Sequence, residues 1–291
     1  MIRTRGEKAF AVFNYIFLSL LTLLFLYPLW EVIKLSFCTP GQASSLEFFF
    51  WPKEPTLMGY KFVMGNENIW NGYLNTVIRI VLGMSIQLIL TVFTAYALSK
   101  KELPHRSFWS LFIAFTMFFH GGTIPNYLLI NNMNLDNTIW ALVLPGAINT
   151  FSMLIVRNNF MSIPPSLEES AKIDGAGILT ILFKIILPLS MPILATITLW
   201  GIVWHWGAWF DCLIYIRDAD KYVLQSILRK IIIDAAPQFN ESELAGTIEI
   251  KPSAEVTKCA TIVVSTLPIL LIYPFIQKYF VKGVMVGSVK G

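Results

Sequence analysis

The sequence predicts an all-α integral membrane protein, and the amount and distribution of charge carry this prediction. Of the 291 residues, 55% are hydrophobic and only 14% are charged, whereas an average soluble domain carries roughly 25% charged residues. So little charge cannot cover the surface of a compact soluble fold of this size. Intrinsic disorder is excluded as well, because aromatic residues alone make up 14% of the chain and disordered chains are poor in them.

Six long uncharged runs separate the charged residues and predict six transmembrane helices. The runs are 19 to 29 residues long, and a helix needs about 20 mainly apolar residues to cross a bilayer. Strand-type alternation is missing, so a membrane β-barrel is not predicted. The predicted spans of this single domain, 1–291, are residues 9–35, 73–99, 107–131, 137–160, 187–216 and 256–280.

The positions of Lys and Arg predict that both termini lie in the cytoplasm. With this orientation, the cytoplasmic segments hold 12 of the 22 basic residues and only 5 of the 18 acidic ones. Basic residues close to the spans are retained on the cytoplasmic side. The long loops 36–72 and 217–255 are then outside. The net charge of +4 therefore reflects topology and does not indicate a nucleic-acid partner.

The cytoplasmic segment 163–187, between the fourth and fifth predicted spans, has the pattern of two short helices. Ser166 followed by Glu169 predicts a capping box at the start of the first helix. Gly175 is placed to end that helix in a left-handed conformation, and a second helix can start at about Ile178. Such a pair forms a compact projection from the bilayer, although a capped helix lying along the membrane fits the same pattern.

The spacing within this segment resembles the EAA signature of binding-protein-dependent ABC importer permeases. That signature runs E-A-A-x-x-x-G, then nine residues, then I-x-L-P. Glu169 and Ala171 match its first and third positions, Gly175 matches its glycine, and residues 185–188 match its end. Ser170, which replaces one Ala, is the single departure.

Other stretches resemble the carbohydrate-uptake branch of this family, of which the maltose permease is a familiar member. These are residues 75–76, 94–99, 174–176 and 188–192. Residues 206–211, 222–225 and 277–283 are similar to a subgroup of complex-oligosaccharide permeases. Gly207 departs from that subgroup, because many of its members have Asn after the preceding Trp.

The resemblance implies the type I permease fold of ABC importers, with a cytoplasmic coupling helix that sits in a cleft of the ATPase. The implied partners are a second homologous permease subunit, a cytoplasmic ATPase dimer, an extracytoplasmic solute-binding protein and membrane lipid. The sequence contains no G-x-x-x-x-G-K-[ST] phosphate loop. ATP and Mg²⁺ are therefore expected on the partner ATPase, with no cofactor, metal or catalytic residue in this chain. The implied location is the inner membrane of a bacterium.

The resemblance also implies a set of residues that couple this chain to the ATPase. They are Glu168, Glu169, Ser170, Ala171, Asp174, Gly175, Ala176, Leu187 and Pro188.

A path for sugar needs hydrogen-bonding groups and aromatic faces inside the spans, because polar groups in membrane helices usually face the bundle interior. Each candidate also has a plainer interpretation, since Trp near the end of a span commonly lies in the interfacial belt and a single His is commonly a packing residue. Glycines at 121 and 122 with Pro125 predict a kink in the third span. The path candidates are His120, Asn126, Asn149, Trp200, Trp204, His205 and Trp209.

Three other functions compete with sugar import as interpretations of the sequence. A membrane-embedded enzyme needs converging His, Asp or Glu groups, and an ion-coupled carrier usually needs an ionisable residue within the membrane. No acidic residue lies inside the six runs, which argues against both. Importers of peptides or other non-sugar solutes share the EAA signature, so this alternative stays open.

Overall fold

The computed structural model describes residues 5–45, 47–234 and 253–288, and all regular secondary structure in these ranges is helical. Residues 235–252 of the predicted outer loop 217–255 therefore lie outside the described part. The α-helices are α1 Arg5–Ser36, α2 Pro40–Ala43, α3 Met58–Met64, α4 Glu67–Ser99, α5 Arg106–Phe115, α6 Thr123–Asn132, α7 Ile139–Val143, α8 Thr150–Ser162, α9 Pro165–Ile173, α10 Ile178–Ile181, α11 Leu187–Leu189, α12 Met191–Gly207, α13 Phe210–Tyr215, α14 Leu224–Asp234 and α15 Ala254–Ser288. One π-helical stretch, Leu182–Ile186, joins α10 to α11, and 3₁₀ turns lie at Leu144–Gly146 and Ala219–Lys221.

Three described helices are long and apolar enough to cross a membrane, and they lie at the first, second and sixth predicted spans. These stretches are Gly6–Ser36, Glu67–Ser99 and Ala254–Leu271. Two further pairs of helices reach this length only when each bent pair is taken as one span. They are Ile139–Gly146 with Thr150–Ser162, bent by 49°, and Ile178–Leu189 with Met191–Gly207, bent by 79°.

The third predicted span, 107–131, is divided into two helices of ten residues each, α5 and α6. The chain between them includes Gly122, whose φ of +90° lies in a region that L side chains rarely adopt. The kink expected near this glycine is therefore a full break. Neither half is long enough to cross a bilayer alone, so the number of six spans stays a prediction.

The chain divides into two compact units, the first made of residues 1–69 and 228–267. In this unit α3 packs closely on α15, since a Cβ at Gly59 would lie 2.9 Å from Val256 Cγ1. The Ser36 and Tyr60 hydroxyls share a 2.7 Å hydrogen bond. The side chains of α1 from Phe10 onward are mostly exposed and apolar, which suits a helix surrounded by lipid.

The second unit contains residues 70–227 and 268–291. Its apolar core brings together the last turns of α4, the helix α8 and the stretch from α10 through the π-helical turn. Tyr96 meets Phe160 edge to face at 6.3 Å, and Phe93 meets Phe183 in the same manner at 6.4 Å. The first contact joins α8 to the last turns of α4, and the second joins the 163–187 segment to α4.

The π-helical turn and the bend at the start of α12 both lie beside prolines. A proline ring clashes with the carbonyl four residues earlier in a regular helix, and the widened turn Leu182–Ile186 contains that position relative to Pro188 and ends two residues before it. The 79° bend then falls at Ser190, between Pro188 and Pro192. The prolines thus set the angle at which α12 leaves the 163–187 segment.

Close contact between α4 and α12 depends on one glycine from each helix. A Cβ at Gly83 of α4 would lie 2.5 Å from His205 Nε2, and a Cβ at Gly201 of α12 would collide with the Met84 sulfur. Small residues permit this approach of two membrane helices. Since lipid tails are as apolar as these side chains, tight packing and polar bonds hold the helices together.

We expect Gly83→Ala to destabilise the protein, because the added methyl overlaps the His205 ring. Overpacking of this kind costs about 1–3 kcal/mol. The apparent Tm of the detergent-solubilised protein measures the effect. Gly207→Ala is the matched control, since nothing lies within 4 Å of a Cβ at Gly207; equal Tm values for the two variants would contradict the close packing of α4 on α12.

Candidate functional site

The first helix of the 163–187 segment begins differently from the prediction. Pro165 is the first helical residue and Pro164 occupies the cap position, where no side-chain hydrogen bond is made. Proline suits this position because its fixed φ and missing N–H cost nothing in the first turn. Ser166 therefore lies inside the helix, and the predicted capping box of Ser166 with Glu169 is wrong.

The end of α9 follows the prediction. Gly175 has a φ of +81°, and its N–H donates to the Lys172 carbonyl at 3.0 Å. The next N–H, of Ala176, donates to the Ala171 carbonyl at 2.8 Å. These two bonds form a Schellman motif, which satisfies the last carbonyls of the helix and turns the chain sharply. The left-handed position at Gly175 is thus confirmed.

The outer surface of this segment is both apolar and exposed. No residue of α9 is fully buried. Ile173 is 86% exposed, and Leu167, Ile178 and Leu179 are further exposed large apolar side chains. Exposed apolar patches of this kind mark surfaces that contact another protein or a membrane.

Few contacts attach α9 to the rest of its unit. Ala171 and Ala176 pack against the apolar core. Glu168 forms an ion pair with Lys100, which directly follows the end of α4. Glu169 is exposed and forms no ion pair within the described ranges. The two adjacent carboxylates therefore differ, since Glu168 binds its own chain and Glu169 is accessible to another protein.

A buried charged cluster lies between α4 and the break that separates α12 from α13. The Arg79 side chain is fully buried and donates to both carboxylate oxygens of Asp211, at 3.1 Å for the Nη1–Oδ1 bond. Its Nε donates to His205 Nδ1 at 3.3 Å, and the Trp204 ring lies 5.7 Å from the guanidinium carbon. Because arginine can only donate, His205 is neutral with its hydrogen on Nε2. We call Arg79, His205 and Asp211 the arginine cluster.

The functional residues predicted from the uncharged runs include neither Arg79 nor Asp211. Arg79 directly precedes the run 80–99, and Asp211 directly follows the run 185–210. Both lie inside predicted spans, 73–99 and 187–216, where burying an ionisable residue costs free energy and therefore indicates a structural or functional site. The sequence thus contained a signal for the importance of each residue. It contained no signal that the two residues, 132 positions apart, form a pair.

The path candidates are distributed over several environments. His205 is 1% exposed and serves the arginine cluster. The Asn149 side chain caps α8 by accepting from the Ser152 N–H at 2.9 Å. Trp204 and Trp200 remain exposed on α12, and Trp200 stacks on Phe151.

The remaining candidates lie at or beside helix breaks. His120 lies in the break between α5 and α6, and Asn126 lies in the first turns of α6; both are exposed. Trp209 lies between α12 and α13, and its carbonyl accepts from the Ser226 hydroxyl at 3.1 Å.

A polar junction of hydrogen bonds joins the start of α4 to the segment after α13. Asn75 Nδ2 donates to the carbonyls of Asp220 and Tyr222 at 2.7 and 3.1 Å. Asn137 Nδ2 donates to Asp218 Oδ2 at 2.7 Å. The Lys221 ammonium also bonds to Asp218, and these two hydrogen bonds hold the pKa of the Asp218 carboxyl below its usual value.

A cavity of about 290 Å³ opens beside the polar junction. The Asn75 and Asn137 amide groups that line it already donate hydrogen bonds to other residues of the chain. The cavity is lined by Asn75, Asn137, Thr138, Ile139, Leu142, Ile216 and Lys221.

The family of the chain follows from comparison with known proteins. Residues 56–286 match the family described as binding-protein-dependent transport system inner membrane component. The chain belongs to this family. It is the permease subunit of an ABC importer, and ATP is hydrolysed by a separate ATPase subunit. Membership decides against the membrane-embedded enzyme and the ion-coupled carrier.

Two relatives from Bacillus subtilis strain 168 match nearly the whole chain. One, the polygalacturonan/rhamnogalacturonan transport system permease protein YtcP, is 40% identical over 286 residues, which cover 98% of this chain and 99% of the relative. The other, protein LplC, is 38% identical over 292 residues, which cover 100% and 98%.

Solved structures agree with this assignment. One is a crystal structure of a bacterial ABC transporter involved in the import of the acidic polysaccharide alginate, which matches at a TM-score of 0.89 and 33% identity over 96% of this chain and 99% of the other. A second chain, from a bacterial alginate ABC transporter, matches at a TM-score of 0.59 and 14% identity over 93% of each chain, and supports the fold alone.

We expect Gly175→Val to impair coupling between ATP hydrolysis and uptake. A β-branched residue at φ +81° costs about 1–2 kcal/mol or more, so the turn after α9 must rearrange. ATP hydrolysis and the amount of permease in the membrane should persist while uptake falls. Gly177→Val is the control, because Gly177 has extended dihedral angles and free space around it. Full uptake by the Gly175 variant would contradict a role for the turn.

We expect Asp211→Asn to destabilise the permease strongly, because it leaves the Arg79 charge buried without a counter-ion. Breaking a buried pair costs about 3–5 kcal/mol. The same substitution at Asp136, whose partner Arg217 is 68% exposed rather than buried, should cost at most about 1 kcal/mol. Thermal unfolding of the solubilised importer compares the two. Similar losses of stability in both variants would show that the arginine cluster contributes no more than a surface pair.

Proposed function

We propose that this chain is a membrane-spanning subunit of an ABC importer that brings oligosaccharides of acidic, uronic-acid-containing polysaccharides into the cytoplasm. The observation that carries the proposal is the 40% identity with a polygalacturonan/rhamnogalacturonan permease over 98% of this chain. The 33% identical structure comes from an importer of the acidic polysaccharide alginate, which supports the same class of solute. A peptide cargo has no such support.

The proposed arrangement has six spans in one domain, 1–291, in the inner membrane of a bacterium, with both termini in the cytoplasm. The distribution of Lys and Arg supports this orientation. The broken helix pair α5 and α6 then makes the third span together with its connecting residues. Loops 36–72 and 217–255 face the extracytoplasmic solute-binding protein.

Within this arrangement, segment 163–187 is the coupling segment that docks into the cytoplasmic ATPase. The exposed apolar side chains of α9 and its neighbour, with Ile173 the most exposed, support a protein partner at this surface. Glu169 and Asp174 are accessible for polar contacts with that partner. The ATPase dimer binds ATP and Mg²⁺, and a second homologous permease subunit completes the membrane part.

The solute path runs beside α12 and the broken third span. Trp200 and Trp204 present exposed aromatic faces that can stack on pyranose rings. His120 and Asn126, at and beside the break between α5 and α6, are exposed hydrogen-bonding groups. His205 and Asn149 orient these elements through their bonds within the chain.

We expect cells that lack this permease to lose uptake of labelled oligogalacturonides and to recover it when the full chain is restored. Uptake of neutral galacto-oligosaccharides and of a tripeptide by the same cells serves as the comparison. Loss of oligogalacturonide uptake alone would support an acidic cargo. Loss of peptide uptake with normal oligogalacturonide uptake would show that the proposed cargo is wrong.

A further inference from the structure

The ion pair between Lys100 and Glu168 joins two helix ends. Lys100 follows the last residue of α4, and Glu168 lies in the first turn of α9. The ammonium contacts both carboxylate oxygens and lies 4.1 Å from the centre of the Tyr96 ring. The lysine is therefore held by an anion on one side and an aromatic face on the other.

Both charges lie where the helix dipoles favour them. A cation at the C-terminal end of α4 and an anion in the first turn of α9 are each stabilised by the backbone dipole of their own helix. The Lys100 and Glu168 side chains are 26% and 17% exposed, and a partly buried pair is screened less by salt than a surface pair. This geometry favours a persistent contact.

Apart from this ion pair, α9 is held to its unit by the packing of Ala171 and Ala176 on the apolar core. The helix has no fully buried residue. It is flanked by Ile163 and Pro164 in extended conformation on one side and by the glycines at 175 and 177 on the other. Both flanks can act as hinges, because neither continues the helix. The ion pair is the polar contact that ties α9 to α4.

The helix α4 carries this contact to the arginine cluster. It is one continuous helix from Glu67 to Ser99, so the 21 positions between Lys100 and Arg79 correspond to roughly 30 Å along its axis. At Arg79 the same helix is bonded to His205 and Asp211. A displacement applied at Glu168 thus reaches the break between α12 and α13 through a single rigid element.

We propose that Lys100 and Glu168 are positioning residues that lock the coupling segment to α4, so that movement of α9 on the ATPase is transmitted along α4 to the arginine cluster. The proposal rests on the function proposed for segment 163–187. In this proposal the two neighbouring carboxylates have different roles, because Glu168 binds Lys100 at the end of α4 whereas Glu169 is available to the ATPase.

Charge reversal in the complete importer, reconstituted with its partner subunits and binding protein, tests the proposal. Lys100→Glu and Glu168→Lys should each lower the amount of oligogalacturonide imported per ATP hydrolysed by about fivefold or more. The double variant Lys100→Glu/Glu168→Lys should recover most of this ratio, because the pair forms again with reversed charges. A role in folding alone would reduce the amount of assembled complex and leave the ratio unchanged.

The matched control is Lys101→Glu, which makes the same charge change at an exposed neighbour and should leave the ratio at the wild-type value. Single variants with a wild-type ratio, or a double variant as impaired as the single ones, would overturn the proposal.

A second measurement separates this proposal from the identity of the cargo. In the complete complex without solute, the backbone amides of α9 should exchange with deuterium about threefold faster in Lys100→Glu than in wild type, and the double variant should restore the slower rate. Equal exchange rates would overturn the positioning role. If the wild-type importer takes up no oligogalacturonide, the proposed cargo is wrong and the exchange rates still decide the role of the ion pair.

Discussion

The neutralisation of one buried cation organises the second unit. Arg79 lies in an apolar helix with no exposed side-chain surface, and an unpaired charge there would be prohibitively costly. Asp211 neutralises this charge and His205 accepts a hydrogen bond from the guanidinium, although they lie 132 and 126 residues from Arg79 in the sequence. This requirement holds α4 against α12 at the one level where Gly83 leaves room for the His205 ring.

At the opposite end of α4, the surface that we propose for contact with the ATPase is left exposed. The helix α9 begins with a proline and ends in a Schellman motif. Because these local features define both ends of the helix, α9 keeps its shape with few tertiary contacts. Its apolar side chains are then free for a partner protein. A membrane permease driven by a separate ATPase needs such a surface, because the energy of ATP must enter through contact between subunits.

Particular residues explain how far the sequence could predict the fold and the site. The uncharged runs located α1, α4 and α15 because a bilayer demands long apolar helices. The left-handed Gly175 was predictable since a local motif fixes it. The prediction of a cap at Ser166 was wrong because Pro165 takes the first helical position. The sequence held two competing signals for the helix start, the proline and the Ser166 capping box. The sequence places His205 on the solute path, because nothing in it indicates the hydrogen bond from Arg79.

Composition and the spacing of near neighbours were sufficient to predict the membrane class, the approximate places of the helices and the EAA signature. The division of the third span into α5 and α6, the pairing of Arg79 with Asp211 and the contact of Glu168 with Lys100 could be read only from the folded structure. Such pairings join residues 68 to 132 positions apart. They depend on the direction in which each helix leaves its turn, and that direction is set by the packing of the whole unit.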